Sequence, residues 1–241
     1  MNGLQTIRRI LGYGSAAAAA AAVSYATYVA VTWARYGLVH SDRFPRDDLL
    51  DQFLPCPEVD ECHRIQVSAP AAATFAVAHE LDIQHSPLVR GIFMLRTLPS
   101  LIRGEPLADT SRGLLAETLA IGWGVLAEVP DREIVVGAVT QPWEPVVTFQ
   151  PLPPEEFAAF DEPGYAKIVW TLAAEPLGPN ESMFITRTRV ATTDSMARER
   201  FRRYWAVLSL GILIIRYEGL RLVKAEAERR MRRSLGEPAH Q

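Results

Sequence analysis

Cysteine is the first scarcity: Cys56 and Cys62 are the two in 241 residues. That number excludes a disulfide framework. If the stretch between them is extended, they stand roughly 20 Å apart, far beyond the Cα separation a disulfide tolerates. A metal reading would recruit Cys56, Cys62 and His63, but no second ligand pair follows downstream. Catalytic signatures are missing too. The chain has no GxSxG, HExxH, CxxC, P-loop or GxGxxG. Of the five histidines, His79 and His85 are six apart on a predicted helix and do not share a face. These absences assign no catalytic residue, no metal and no cofactor. The net charge of −3 gives no general pull toward nucleic acid. Basic residues are not interleaved with aromatics on a recognisable platform, so no nucleic-acid partner is expected.

Hydrophobic residues make up 49% and charged residues 22%, a globular composition. The length suits an N-terminal segment plus one domain of about 200 residues. Charge is unevenly spread. From Arg198 to Arg233 there are eleven Arg or Lys against four Glu. This basic end reads either as a solvated helix terminus, where cations favour the macrodipole, or as a contact for anionic headgroups.

The one long apolar run is at the N-terminus. Ile10 to Ala34 holds 25 residues without a charge, including seven consecutive alanines. As a helix it would extend roughly 37 Å, against a hydrocarbon core of about 30 Å. Trp33 and Tyr36 follow like an interfacial belt. The run reads as a single-pass anchor bounded by Ile10, Trp33 and Tyr36, ahead of a cleaved export signal and of a soluble alanine-rich helix. Arg8 and Arg9 balance Arg35, Arg43 and Arg46, so the positive-inside rule leaves the side of the membrane open.

Residues 35–57 read as a tether. "RIQVSAP" predicts a strand over Arg64–Val67 running into a helix, with Ser68 as N-cap and Pro70 in the first turn. Helical stretches follow in residues 71–81, 86–104 and 110–122. After Gly122 the period becomes alternating. Strands are predicted at 123–129, 133–139, 146–150, 165–173 and 182–192, joined by turns such as "PDRE" and "GPNE" without crossover helices, which indicates antiparallel pairing. A long helix starts at about Asp194. Phe201, Trp205, Leu208, Ile212, Ile215 and Leu222 form its apolar stripe. Tyr204 to Ile215 carries no charge and is too short to span a bilayer. It suits a helix held inside a curved sheet, since a sheet with one apolar face needs a cover.

The phrases "IQVSAPAAATFAVA", "GWGVLAEVPDREIVVGAVTQPW" and "FITRTRVATTDSMARERFRRYW" resemble the first strand and helix start, the strand pair, and the last strand and long helix of START-like (SRPBCC) domains. The likeness covers roughly Val59 to Glu228. It implies an α+β helix-grip fold: a curved antiparallel sheet around a long C-terminal helix, with an apolar cavity between them. Members bind lipids, sterols, polyketides or other hydrophobic molecules, and some are cyclases or dehydratases. The implied organisation is an N-terminal flank (1–9), a transmembrane helix (10–34), a tether (35–57), the START-like domain (58–234) and a tail (235–241). The domain reads as complete from about Val59, with the anchor dispensable to its fold.

Cavity candidates follow from the alternation and the stripe. They are Trp123, Phe149 and Trp170 from the strands and Trp205, Leu208 and Ile212 from the helix. On strand 182–192 both faces are mixed, so Arg187 and Arg189 read either as inward groups for a ligand carboxylate or phosphate, or as outer-face residues paired with acids. The expected partners are a hydrophobic small molecule and the bilayer. Three functions remain: a membrane-tethered binder or shuttle of such a molecule, a cyclase or dehydratase on the same fold, and a structural or regulatory protein whose cavity is filled by its own side chains.

Overall fold

The computed structural model describes residues 2–38, 48–81, 114–234 and 236. The helical stretch predicted at 86–104 lies outside them. In chain order the elements are α1 (Asn2–Arg35), α2 (Asp48–Asp51), β1 (Val59–Val67), α3 (Ala71–Glu80), α4 (Leu114–Ala120), β2 (Gly124–Val129), β3 (Glu133–Thr140), β4 (Phe149–Gln150), α5 (Pro154–Ala159), β5 (Ala166–Gly178), β6 (Glu181–Thr192) and α6 (Ser195–Ser234). The strands form one antiparallel sheet in the order β1-β6-β5-β3-β2, with β4 paired to β3. An antiparallel sheet gripping a long C-terminal helix is the helix-grip fold.

Local chemistry explains most boundaries. Asp194 caps α6: its Oδ1 accepts from the backbone N–H of Met196 (2.7 Å) and Ala197 (2.9 Å). Those bonds, with one from the Gly164 N–H, hold its carboxyl below the usual carboxylate range. Ser68 does not cap α3. Pro70 takes the N-cap position without a side-chain bond, and the Ser68 N–H instead donates to Glu228 Oε1 (3.0 Å), tying the end of β1 to α6. β1 begins at Val59, five residues before its predicted start, because its register with β6 runs from Val59↔Val190 to Val67↔Ser182. Most of 146–150 is not strand, and only Phe149–Gln150 pairs. α5 was not anticipated. Pro153 and Pro154 open it, and its buried Phe157 anchors it.

The sheet is covered on both faces. Its inner face carries Ile134, Val136, Leu172 and Phe184, which pack with Phe75 and Val77 of α3 and with Leu220 and Val223 of α6. Its outer face carries Val135, Val139 and Val169, which pack with Phe157 of α5 and with Leu50, Phe53 and Leu54. Residues 48–54, placed by sequence within the tether, are therefore part of this packing, and Leu50 is fully buried. Lys167 and Thr171, on the face opposite Trp170, are buried under α5 and its neighbours rather than wet. Lys167 donates to the Ala158 carbonyl (2.8 Å) and lies over the Phe157 ring, while burial lowers its pKa.

Gly137 in β3 is where this outer layer closes. A β-bulge between Val125 and Ala127 turns Leu126 onto it. A Cβ at Gly137 would meet Leu126 Cδ1 at 2.4 Å and the Phe157 ring at 3.2 Å. Gly137→Val should therefore cost on the order of 1–3 kcal/mol by overpacking. Gly178→Ala, where a Cβ meets nothing within 4 Å, should stay within about 0.5 kcal/mol. Thermal midpoints of the two variants check this ordering.

Candidate functional site

Between α6 and the inner face lies a cavity of about 280 Å³. β5 supplies Ile168, Trp170 and Leu172, β6 supplies Phe184, Thr186, Thr188 and Val190, and α6 supplies Phe201, Tyr204, Trp205, Ile212, Ile215 and Arg216. Trp123 and Phe149 close the β3 side, with ring centroids 5.2 Å apart. Trp123 also meets Trp170 edge-on at 6.3 Å, and Phe201 stacks on Trp205 at 5.9 Å. Gly122 makes the first of these contacts attainable. Its φ of +104° is one a side chain rarely adopts, and a Cβ there would meet the Phe149 carbonyl oxygen at 2.4 Å. α4 therefore ends at that glycine, and Trp123 drops against Phe149.

The structure brings five of the sequence candidates together around this cavity: Trp123, Phe149, Trp170, Trp205 and Ile212. Leu208 is not among them. It is 42% exposed, because α6 has the cavity on one flank and α1 on another, and Leu208 points to neither. The uncharged run of α6 is thus not fully enclosed by the sheet.

Arg187 and Arg189 also lie elsewhere. The inward residues of β6 are Phe184, Thr186, Thr188 and Val190, so alternation sends the two arginines outward. Arg187 makes a bidentate pair with Asp60 of β1, Nε to Oδ1 at 2.7 Å and Nη2 to Oδ2 at 2.6 Å. Arg189 Nε reaches the same Oδ2 at 3.2 Å, while its Nη1 donates to Asp51 Oδ1 and to the Leu54 carbonyl. The Arg187 and Asp60 side chains are only 7% and 6% exposed. This network joins β6, β1 and α2 and binds no inward ligand group.

Sequence reasoning missed the polar members of the lining. Thr186, Thr188, Tyr204 and Arg216 each contribute. A signal for Arg216 was present: it stands four residues after Ile212 and eleven after Trp205, on the apolar stripe itself. Cross-strand pairing sets Glu61 opposite Thr188 and His63 opposite Thr186. His63 packs edge-on against Tyr217 at 4.9 Å, and burial lowers its pKa. Both cysteines are free thiols. Among the described residues no cluster of three or more His, Cys, Asp or Glu is arranged to hold a metal.

A second space of about 460 Å³ lies between α1, α6 and β1, and Trp205 borders both. Here α1 docks on the domain. Tyr25 Oη donates to the Val207 carbonyl (2.7 Å), and Tyr28 Oη and Ser209 Oγ share a hydrogen bond (2.8 Å). Arg202 donates to the Trp33 carbonyl and sits 4.2 Å from the centroid of that indole. Tyr36 donates to Glu58 Oε2, which together with burial raises its pKa. Trp33 and Tyr36, read as an interfacial belt, thus contact the folded domain. The side chain of Ile10 lies outside the described residues. α1 contains one stretch, Ala16–Arg35, long and apolar enough to cross a membrane by length and composition.

Comparison with known proteins leaves the fold resting on the chain's own topology. No family model matches the sequence. No curated protein matches it either. Similar solved structures include the Zhui aromatase/cyclase from Streptomyces sp. R1128, with 15% identity over 75% of this chain and 99% of that one and a TM-score of 0.29. A conserved protein from Geobacillus kaustophilus is 10% identical over 71% and 96%, with a TM-score of 0.34. Norcoclaurine synthase from Thalictrum flavum, in complex with dopamine and hydroxybenzaldehyde, is 13% identical over 79% and 98%, with a TM-score of 0.27. Scores this low transfer no ligand and no activity.

The outer-face network yields a direct test. Asp60→Ala leaves the buried Arg187 guanidinium without its bidentate partner and should cost about 3–5 kcal/mol. Replacing the group together, with Asp60→Leu, Arg187→Met and Arg189→Leu, should restore most of the loss in a denaturant-unfolding measurement.

Proposed function

We propose that this chain is a membrane-tethered START-like domain that binds or shuttles a hydrophobic small molecule. The apolar cavity between α6 and the sheet carries the proposal. Its aromatic and aliphatic lining removes ligand surface from water at roughly 25 cal/mol per Å². The space supports this reading over a domain filled by its own side chains. A cyclase or dehydratase reading would have to draw its proton chemistry from Tyr204, Arg216 and the two threonines, since no histidine or carboxylate stands among the described lining residues.

The tether rests on Ala16–Arg35 and on how α1 meets α6. Tyr25, Trp33 and Tyr36 contact Val207, Arg202 and Phe201 in turn, so the two helices run side by side in opposite directions. An anchor leaving the bilayer along this line holds the uncharged run of α6, with its exposed Val207 and Leu208, close to the lipid. A ligand would then exchange between bilayer and cavity over a short path.

Gly219 offers a sharp test of the binding half. It lines the cavity, and a Cβ there would meet nothing within 4 Å. Gly219→Leu should gain about 1 kcal/mol from helix propensity while filling the space. The thermal midpoint should rise and saturable binding of the neutral probe N-phenyl-1-naphthylamine should be lost. Unchanged probe binding by a folded Gly219→Leu chain would remove the cavity as the ligand site.

For the tether, the full chain should remain with membranes through alkaline carbonate extraction. Release into the supernatant would end that half of the proposal and leave the binding half standing.

A further inference from the structure

Among the described residues that line the inner cavity, Arg216 is the one that carries charge. Its Nη1 is buried and has no hydrogen-bond partner among the described residues. A buried guanidinium hydrogen without an acceptor is costly, and an acceptor that carries charge removes that cost most effectively. Burial lowers the Arg216 pKa to about 10, which still leaves it a cation at neutral pH.

The surroundings of Arg216 are polar on one side only. Glu61 attracts it from β1. Thr188 and Thr186, cross-strand partners of Glu61 and His63, join it in the lining. This band belongs to the β1–β6 side of the sheet. Trp123 and Phe149 stand on the β3 side, two strand spacings from β6 in the order β1-β6-β5-β3-β2, or roughly 10 Å away. The cavity is therefore amphipathic along its width. At about 280 Å³ it falls just below the usual range of ligand sites, about 300 to 1,000 Å³. That suits one acyl chain or a small ring system and not a two-chain lipid.

We propose that the cavity takes a single-chain or small-ring amphiphile whose acidic head, a carboxylate or phosphate monoester, docks on Arg216 while its apolar body lies against Trp123, Phe149 and Trp170. This rests on the cavity being a ligand site, as argued above, and adds the chemistry of the head. Thr186 and Thr188 supply hydroxyl donors beside the guanidinium. Glu61 faces Arg216 from β1, and burial raises its pKa. The nearby Asp60 is already committed to Arg187 and Arg189.

The test uses the full chain in nanodiscs of uncharged phosphatidylcholine. Two brominated probes of matched length, 11-bromoundecanoate and 11-bromo-1-undecanol, are titrated at neutral pH. Quenching of tryptophan emission is read against empty discs, because Trp123, Trp170 and Trp205 line the cavity. The acid should bind about tenfold or more tightly than the alcohol, the size expected for a charge-assisted hydrogen bond. Arg216→Gln should weaken the acid about tenfold or more and so abolish that preference, and Arg216→Lys should retain part of it. Competition by unbrominated undecanoate and undecyl phosphate then names the head, and displacement by either supports the inference.

Equal binding of the two probes by the unaltered chain overturns the inference and leaves the apolar-cavity reading intact. So does an acid preference that persists in Arg216→Gln. Saturable binding of neither probe overturns the cavity reading and this inference with it. Should Arg216→Gln fail to fold, the acid-to-alcohol comparison in the unaltered chain and in Arg216→Lys still decides.

Discussion

The packing of α6 against the inner face of the sheet is the contact from which the rest of the architecture follows. Ile134, Val136, Leu172 and Phe184 present an apolar surface that water cannot be left to cover, and α6 meets it with Phe201, Trp205, Leu220 and Val223. Close packing is achieved at the two ends of this contact. Between them a cavity remains, with the indoles of Trp123, Trp170 and Trp205 in its lining.

Burial of the outer face has a consequence of its own. Once α2, α5 and their neighbours cover that face, the polar residues that alternation sends there must find partners without water. Asp60 serves two arginines, and Lys167 finds a carbonyl and a ring. The inner face makes the opposite arrangement. Its polar groups gather at the β1–β6 side around Arg216, where Nη1 is left without an acceptor. One sheet thus carries a satisfied ionic network on one side and an incompletely satisfied one on the other, and only the second borders a cavity.

Much of the layout was legible. Period-two alternation marked β3, β5 and β6, the tight turns between them implied antiparallel pairing, and a period of 3.6 marked α6 from its Asp194 cap. Five of the residues nominated for the cavity meet there, because aromatic residues on an alternating strand and on a helical stripe had one shared interior to enter. Which side of β6 faced inward was not legible. Alternation separates Arg187 and Arg189 from Thr186 and Thr188 but does not rank the two sets, since both faces of the strand are buried. The role of residues 48–54 was hidden for a related reason. Leu50, Phe53 and Leu54 gain their meaning from Val135 and Val169, which lie far along the chain.

Sequence alone determined most element types, the antiparallel pairing of the later strands, the long covering helix and an N-terminal run long enough to cross a bilayer. Each is set by local periodicity, turn chemistry or length, which are properties of neighbouring residues. Tertiary structure decided which face of β6 turns inward, that α1 lies along α6, and that Arg216 enters a largely apolar lining. Those outcomes depend on pairings between residues more than a hundred positions apart, such as Asp60 with Arg187 and Tyr25 with Val207. No local pattern encodes them, because each side chain's environment is created by the segment that arrives to cover it.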